Sequence, residues 1–130
     1  MSISEIIKPY TVLLVDDEDY ILKFLSIMLR TSGYQVLTAG NGVRALEIIK
    51  SGIVDLVVTD IMMPKLDGID LIKQIRSFSK VPIVVISGAD SGQRQSEAIK
   101  TGADDFFPKP FDPRKLVECI KARLPARKPD

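Results

Sequence analysis

"LVVTDIMMPKLDG", residues 56–68, decides how the rest of the chain is read. Leu56 to Thr59 form a run that suits a strand covered on both faces, because it does not alternate apolar with polar. The run ends on Asp60. Two methionines, Pro64 and Gly68 follow and mark a loop. A carboxylate at the exit of a buried strand is costly to desolvate unless it has a partner or a task.

Similar runs occur elsewhere. "TVLLV" (11–15) and "VPIVVI" (81–86) are also continuous. The expected strands are Thr11 to Val15, Gln35 to Thr38, Asp55 to Thr59, Val81 to Ile86 and Asp105 to Phe107. Helical patterns fall between them. Ile21, Phe24, Leu25, Met28 and Leu29 keep the spacing of an amphipathic helix, and Gly33 can supply its left-handed stop. Asn41 is placed to cap a helix carrying Leu46 and Ile49, closed near Gly52. Ile69, Ile72 and Ile75 mark the next helix. Leu116 and Ile120 mark the last, with Asp112 as its cap and Pro113 in its first turn. Residues 91–100, "SGQRQSEAIK", are the weakest pattern, with only Ala98 and Ile99 to anchor them; a helix held so lightly suits a moving part. The alternation predicts a three-layer α/β domain with a five-stranded parallel sheet.

At 130 residues the chain is one domain by size, and 45% hydrophobic content supports an ordinary core. Residues 1–9 read as an extension, 10–124 as the domain and 125–130 as a tail or the start of a linker. The single Cys119 rules out a disulfide framework and a thiolate metal site, and the absence of His removes the commonest metal ligand and neutral-pH base. A net charge of +1 gives no bias toward nucleic acid or an acidic membrane. No leader or membrane-spanning pattern is read, so a cytoplasmic location is expected.

Ligand sites in open α/β sheets lie beyond the carboxyl ends of the strands. "DDED" (16–19) follows the first strand, Asp60 the third, "SGAD" from Ser87 the fourth, and "PKPF" with Lys109 the fifth. Asp16, Asp17 and Asp60 brought together would repel by several kcal/mol at an effective dielectric of ~20. Protonation or a bound cation relieves that, and hard oxygen ligands without His favour magnesium over zinc. Taken singly, each residue has a plainer reading. Asp16 and Asp17 can cap the next helix, Asp60 can be a turn residue, Ser87 a loop hydroxyl and Lys109 a surface lysine. The set, one member or more at each of four strand ends, is what points to a site.

With those residues in place, roughly residues 10–124 resemble the receiver domain of two-component response regulators, of the chemotaxis-regulator type. "LLVDDED" is similar to the family's acidic pair, "DLVVTDIMMPKLDG" to its phosphoacceptor segment, "PIVVISG" to its switch-hydroxyl segment and "GADDFFPKPF" to its fifth-strand motif. The resemblance implies a flavodoxin-like (βα)5 fold with strand order 2-1-3-4-5. It implies Asp60 as phosphoacceptor and Mg2+, with Mn2+ as a substitute. The ion would be held by Asp17, Asp60 and the Met62 backbone carbonyl, with Asp16 acting through water. Ser87 and Phe106 become the switch pair, and Lys109 the partner of a phosphoryl oxygen. The donor would be a sensor histidine kinase or histidine phosphotransfer protein. The domain would catalyse only its own phosphorylation and slow dephosphorylation. Its reshaped surface (fourth helix, fifth strand, fifth helix) would act on a downstream protein, a linked effector domain or a second copy, with no direct nucleic-acid or membrane contact. Phe106 stands where Tyr is common in the family, and plain core packing is its other reading. Met62 and Ala89 stand at positions that set phosphoryl lifetime, and neither can position a water, so fast self-dephosphorylation is not expected. Lys109–Pro110 is expected to be cis.

Rival readings remain. A phosphohydrolase with Asp17 as nucleophile needs D-x-D, which Asp17 and Asp19 supply, but it also calls for a cap domain. A flavin carrier needs a Ser/Thr/Gly phosphate loop where "DDED" stands. A receiver-like interaction module that takes no phosphate is the third.

Overall fold

Every residue of Thr11–Val15 (β1), Leu56–Asp60 (β3) and Ile83–Ser87 (β4) is buried, as strands covered on both faces must be. The computed structural model describes residues 8–63, 65–88 and 91–125. Expectations for most of the N-terminal extension, for Pro64 and Ala89, and for residues 126–130 lie outside the described residues. Gln35–Ala39 (β2) and Asp105–Pro108 (β5) complete a parallel five-stranded sheet of order β2-β1-β3-β4-β5. The two outer strands are only partly buried, as edges are. The strand order is the one the resemblance implied.

The helices are Asp19–Thr31 (α1), Gly42–Lys50 (α2), Gly68–Arg76 (α3), Ser91–Thr101 (α4) and Pro113–Arg123 (α5). Side chains alternate across each strand and so build two cores. Leu13, Val15, Val57, Ile83 and Val85 pack with Leu46, Ile49, Ile69, Ile72, Ile75 and Ala98 of α2, α3 and α4. Val12, Leu14, Leu56, Val58, Val84 and Ile86 pack with Leu25, Leu29, Leu116 and Ile120 of α1 and α5.

The predicted punctuation is present. Gly33 (φ 98°) follows α1, its N–H donating to Arg30 O and that of Tyr34 to Leu29 O, a paired closure of the last turn. Asn41 Oδ1 accepts from Arg44 N at 2.9 Å, and Asp112 Oδ1 from Arg114 N at 2.9 Å. Asp67 caps α3 in the same way, accepting from Asp70 N at 3.0 Å.

Two strand starts differ for local reasons, and one anchor of α4 differs in burial. β3 begins at Leu56, because Asp55 uses its side chain to accept from Thr11 N at 2.8 Å. β4 begins after Pro82, which has no N–H to offer a ladder. Of the two expected anchors of α4, Ala98 is fully buried but Ile99 is 44% exposed.

Candidate functional site

Asp60 is the last residue of β3, Ser87 the last of β4, and Asp16 follows β1 directly; all three are buried. Lys109 follows β5 and reaches back over the sheet edge. Its Nζ lies 3.1 Å from Asp60 Oδ2 and 3.4 Å from Asp16 Oδ2. Each carboxylate is held at its other oxygen by a loop amide. Met62 N donates to Asp60 Oδ1 at 3.2 Å, and Glu18 N to Asp16 Oδ1 at 3.0 Å. Lys109 is thus no loose surface cation; its side chain is 19% exposed and bridges two strand ends.

The backbone here is fixed tightly. Asp16 N donates to Ala39 O, and Lys109 N donates to Ser87 O at 2.8 Å. The Lys109–Pro110 peptide is cis, as expected. Gly68 N donates to Ile61 O at 2.8 Å, closing the loop after Asp60. A Cβ on Gly68 would collide with the Asp60 carbonyl and come within 2.6 Å of Ile61 Cα, so only glycine fits there. Lys65 in the same loop takes φ 70°, a left-handed conformation uncommon for a residue with a side chain.

The electrostatics follow from burial and proximity. Burial pushes the Asp16 carboxyl above its ordinary range, and the Asp60 charge adds to this, against the Glu18 amide and Lys109. Burial pulls the Lys109 ammonium down, but the hydrogen bond and charge of Asp60, with those of Asp16, outweigh it and leave Lys109 raised. The lysine therefore stays charged and serves as the counter-ion of the free site. Ser87 Oγ is buried and has no hydrogen-bond partner among the described residues. A buried, unpaired hydroxyl is unusual and calls for a reason.

The structure brings Asp16, Asp60 and Lys109 into direct contact and sets Ser87 at the same edge. Asp17 is exposed beside them, and neither it nor Asp16 caps α1, whose N-cap is Glu18. Among the described residues, carboxylate oxygens of Asp16, Asp17 and Glu18 lie within 4.8 Å of one another. Asp60 is not in that group. Glu18, an exposed carboxylate within "DDED" that the sequence reading did not single out, completes that group. This all-oxygen donor set suits a hard cation such as magnesium. Met62 has a 57% exposed side chain, while Met63 packs on the core. Phe106 is partly buried against the core that the sheet forms with α2, α3 and α4. Beside Lys109 an apolar cleft of about 490 Å³ is lined by Tyr20, Phe24, Pro110, Phe111 and Pro113. Tyr20 and Phe24 are 67% and 50% exposed.

A doubly wound parallel sheet of this order, with polar residues gathered at its carboxyl edge, is a flavodoxin-like α/β fold. Residues 12–121 match the family described as Response regulator receiver domain. The chain belongs to that family and is a receiver domain of two-component signalling. It is 39% identical over 117 residues to the "Probable transcriptional regulator ycf27" of Cyanidium caldarium, covering 90% of this chain and 47% of that protein. It is 41% identical over 112 residues to the "Transcriptional regulatory protein CpxR homolog" of Haemophilus influenzae, covering 86% and 49%. The chain spans about half the length of the curated relatives it matches. Among solved structures, a putative response regulator from Chloroflexus aurantiacus superposes with a TM-score of 0.85 at 33% identity, covering 92% of this chain and all of that one. A CheY-like receiver domain protein from Methanospirillum hungatei gives 0.85 at 28% identity, covering 90% and 94%. No helix among the described residues is long and apolar enough to cross a membrane.

Proposed function

We propose that this domain is a phosphorylation-dependent switch whose acceptor is Asp60. A carboxylate oxygen of Asp60 attacks the phosphorus of a phosphohistidine. The P–N bond breaks, the imidazole leaves with the electron pair, and an acyl phosphate forms. The phosphohistidine belongs to a sensor histidine kinase or phosphotransfer protein, and the apolar cleft beside Lys109 gives that protein a place to dock. Asp17, Asp60 and the Met62 carbonyl would hold Mg2+ (or Mn2+), with Asp16 through water; when bound, the ion offsets the charge on the phosphoryl oxygens. Lys109 already touches Asp60, so it is placed to pair with a phosphoryl oxygen once that carboxylate is phosphorylated.

The observation that carries the reading is Ser87 Oγ, buried without a partner among the described residues at the edge where Asp60 and Lys109 meet. A phosphoryl oxygen would give it an acceptor that the free state lacks. That differential contact is what a two-state switch requires. Movement of Ser87 inward, with Phe106 following, would reshape the α4-β5-α5 surface. A downstream protein, a linked output domain or a second copy would read that surface. The domain performs only its own phosphorylation and slow dephosphorylation, and works in the cytoplasm.

The test is labelling by a small phosphodonor with Mg2+, followed by peptide mapping of the adduct. The expected adduct is on Asp60 and is lost in Asp60→Ala. An adduct on Asp17 would instead support a phosphohydrolase, and no adduct on either would support an interaction module without phosphate.

A further inference from the structure

Arg76, the last residue of α3, ties its own C-terminal turn to the junction between α4 and β5, with two of its three guanidinium bonds reaching that junction. Its Nε donates to Gly102 O at 3.0 Å, one terminal nitrogen to Ser79 O at 3.1 Å, and the other to Asp104 Oδ2 at 3.1 Å. The same Asp104 oxygen accepts from Ile83 N at 2.8 Å, and Asp104 N donates to Ile83 O. The Arg76 stem lies flat on Gly102, where an added Cβ would sit 2.8 Å from its Cγ. From the other face of the sheet, Arg123 Nε donates to Asp105 Oδ2 at 2.8 Å and its Nη2 to Asp104 O at 3.3 Å.

The start of β5 is therefore held from both layers, and the residue after α4 from the α3 side, by charge-assisted bonds. The body of α4 is not. From residue 93 to 101, Ala98 alone is buried, and its carbonyl accepts from both Gly102 N and Ala103 N. A helix fixed at one end and lightly packed along its length rotates about the fixed end rather than sliding.

We infer that the Arg76–Gly102–Asp104 clamp, backed by Arg123, is the fixed hinge of the switch. In this arrangement α4 swings about residues 98–104 when its first turn is displaced. This rests on the phosphoacceptor reading above, which supplies the displacement at Ser87.

The test is residue-resolved amide exchange of the whole chain with and without beryllofluoride and Mg2+. Residues 93–97 should change severalfold in exchange rate, while residues 98–104 should change less than about twofold. In Arg76→Lys, which keeps the charge but loses the fork, the amides of Gly102 and Ala103 should exchange about tenfold faster, the loss of roughly one strong hydrogen bond. The beryllofluoride effect should then spread through 98–104. Asp104→Asn should behave likewise and guards against a variant that folds poorly. A change in the unsubstituted protein as large at 98–104 as at 93–97 overturns the hinge alone, and so does an unchanged pattern in both variants. Absence of any response at the amides of Met62 and Lys109 overturns the phosphoacceptor reading and the hinge with it.

Discussion

Lys109→Met removes one charge and keeps most of the stem. The ammonium sits 3.1 and 3.4 Å from two carboxylate oxygens whose side chains are 7% and 2% exposed. At an effective dielectric of ~20 each attraction amounts to about 5 kcal/mol. Desolvation of the lysine and repulsion between the carboxylates cancel much of that. Removing one partner of such a buried cluster costs about 3–5 kcal/mol, since the remaining charges stay buried and uncompensated. Urea unfolding at neutral pH in the presence of a chelator measures it. With a slope of about 2 kcal/mol/M, the midpoint should fall by about 2 M. Saturating Mg2+ should then stabilise the variant more than the unsubstituted protein, because the cation replaces a missing charge instead of competing with one in place. Adding Asp16→Asn and Asp60→Asn to the variant should recover most of the loss even without Mg2+. A loss below about 1 kcal/mol in chelator, or a variant that gains no more from Mg2+ than its parent, would refute this account of the free site.

Gly68→Ala should lose about 1–3 kcal/mol by the overpacking of its Cβ against the Asp60–Ile61 backbone, and its labelling of Asp60 should slow; equal labelling would show that the loop absorbs the clash. Ser87→Ala should leave stability unchanged or raise it by up to about 1 kcal/mol, since its hydroxyl is unpaired, while weakening the structural response to beryllofluoride seen in amide exchange. Burial, with the hydrogen bond to Asp105, pushes the Cys119 thiol from 9.0 to about 11. The folded state therefore binds this proton more tightly than the unfolded chain. Its stabilising effect is complete below pH 9 and is lost as pH rises through 11; thiol titration of native and unfolded protein should show native Cys119 unreactive until strongly alkaline pH. Asn41→Ala should cost about 1 kcal/mol through loss of the α2 cap, read as a lower thermal midpoint.

The layers and most of their ends were legible in the amino-acid pattern alone. Strands covered on both faces must be apolar throughout, so β1, β3 and β4 were visible as unbroken runs, and the polar residue closing each run marked the sheet edge. Gly33, Asn41 and Asp112 were legible because capping depends on neighbours a few residues away. Which member of "DDED" turns inward was not legible, because an acidic run gives no sign of it; Asp16 is buried and Asp17, Glu18 and Asp19 are exposed. Nor was the exposure of Ile99, since only packing decides that α4 turns Ala98 rather than Ile99 to the sheet. Asp16, Asp60 and Lys109 were named from their strand ends, but only the tertiary structure decided that one lysine spans two carboxylates 93 and 49 residues away in the chain. The Arg76 fork, reaching 26 and 28 residues ahead, carried no sequence signal at all. Local rules act through bonded neighbours, whereas these contacts depend on strand register and on which helix each crossover lays against the sheet.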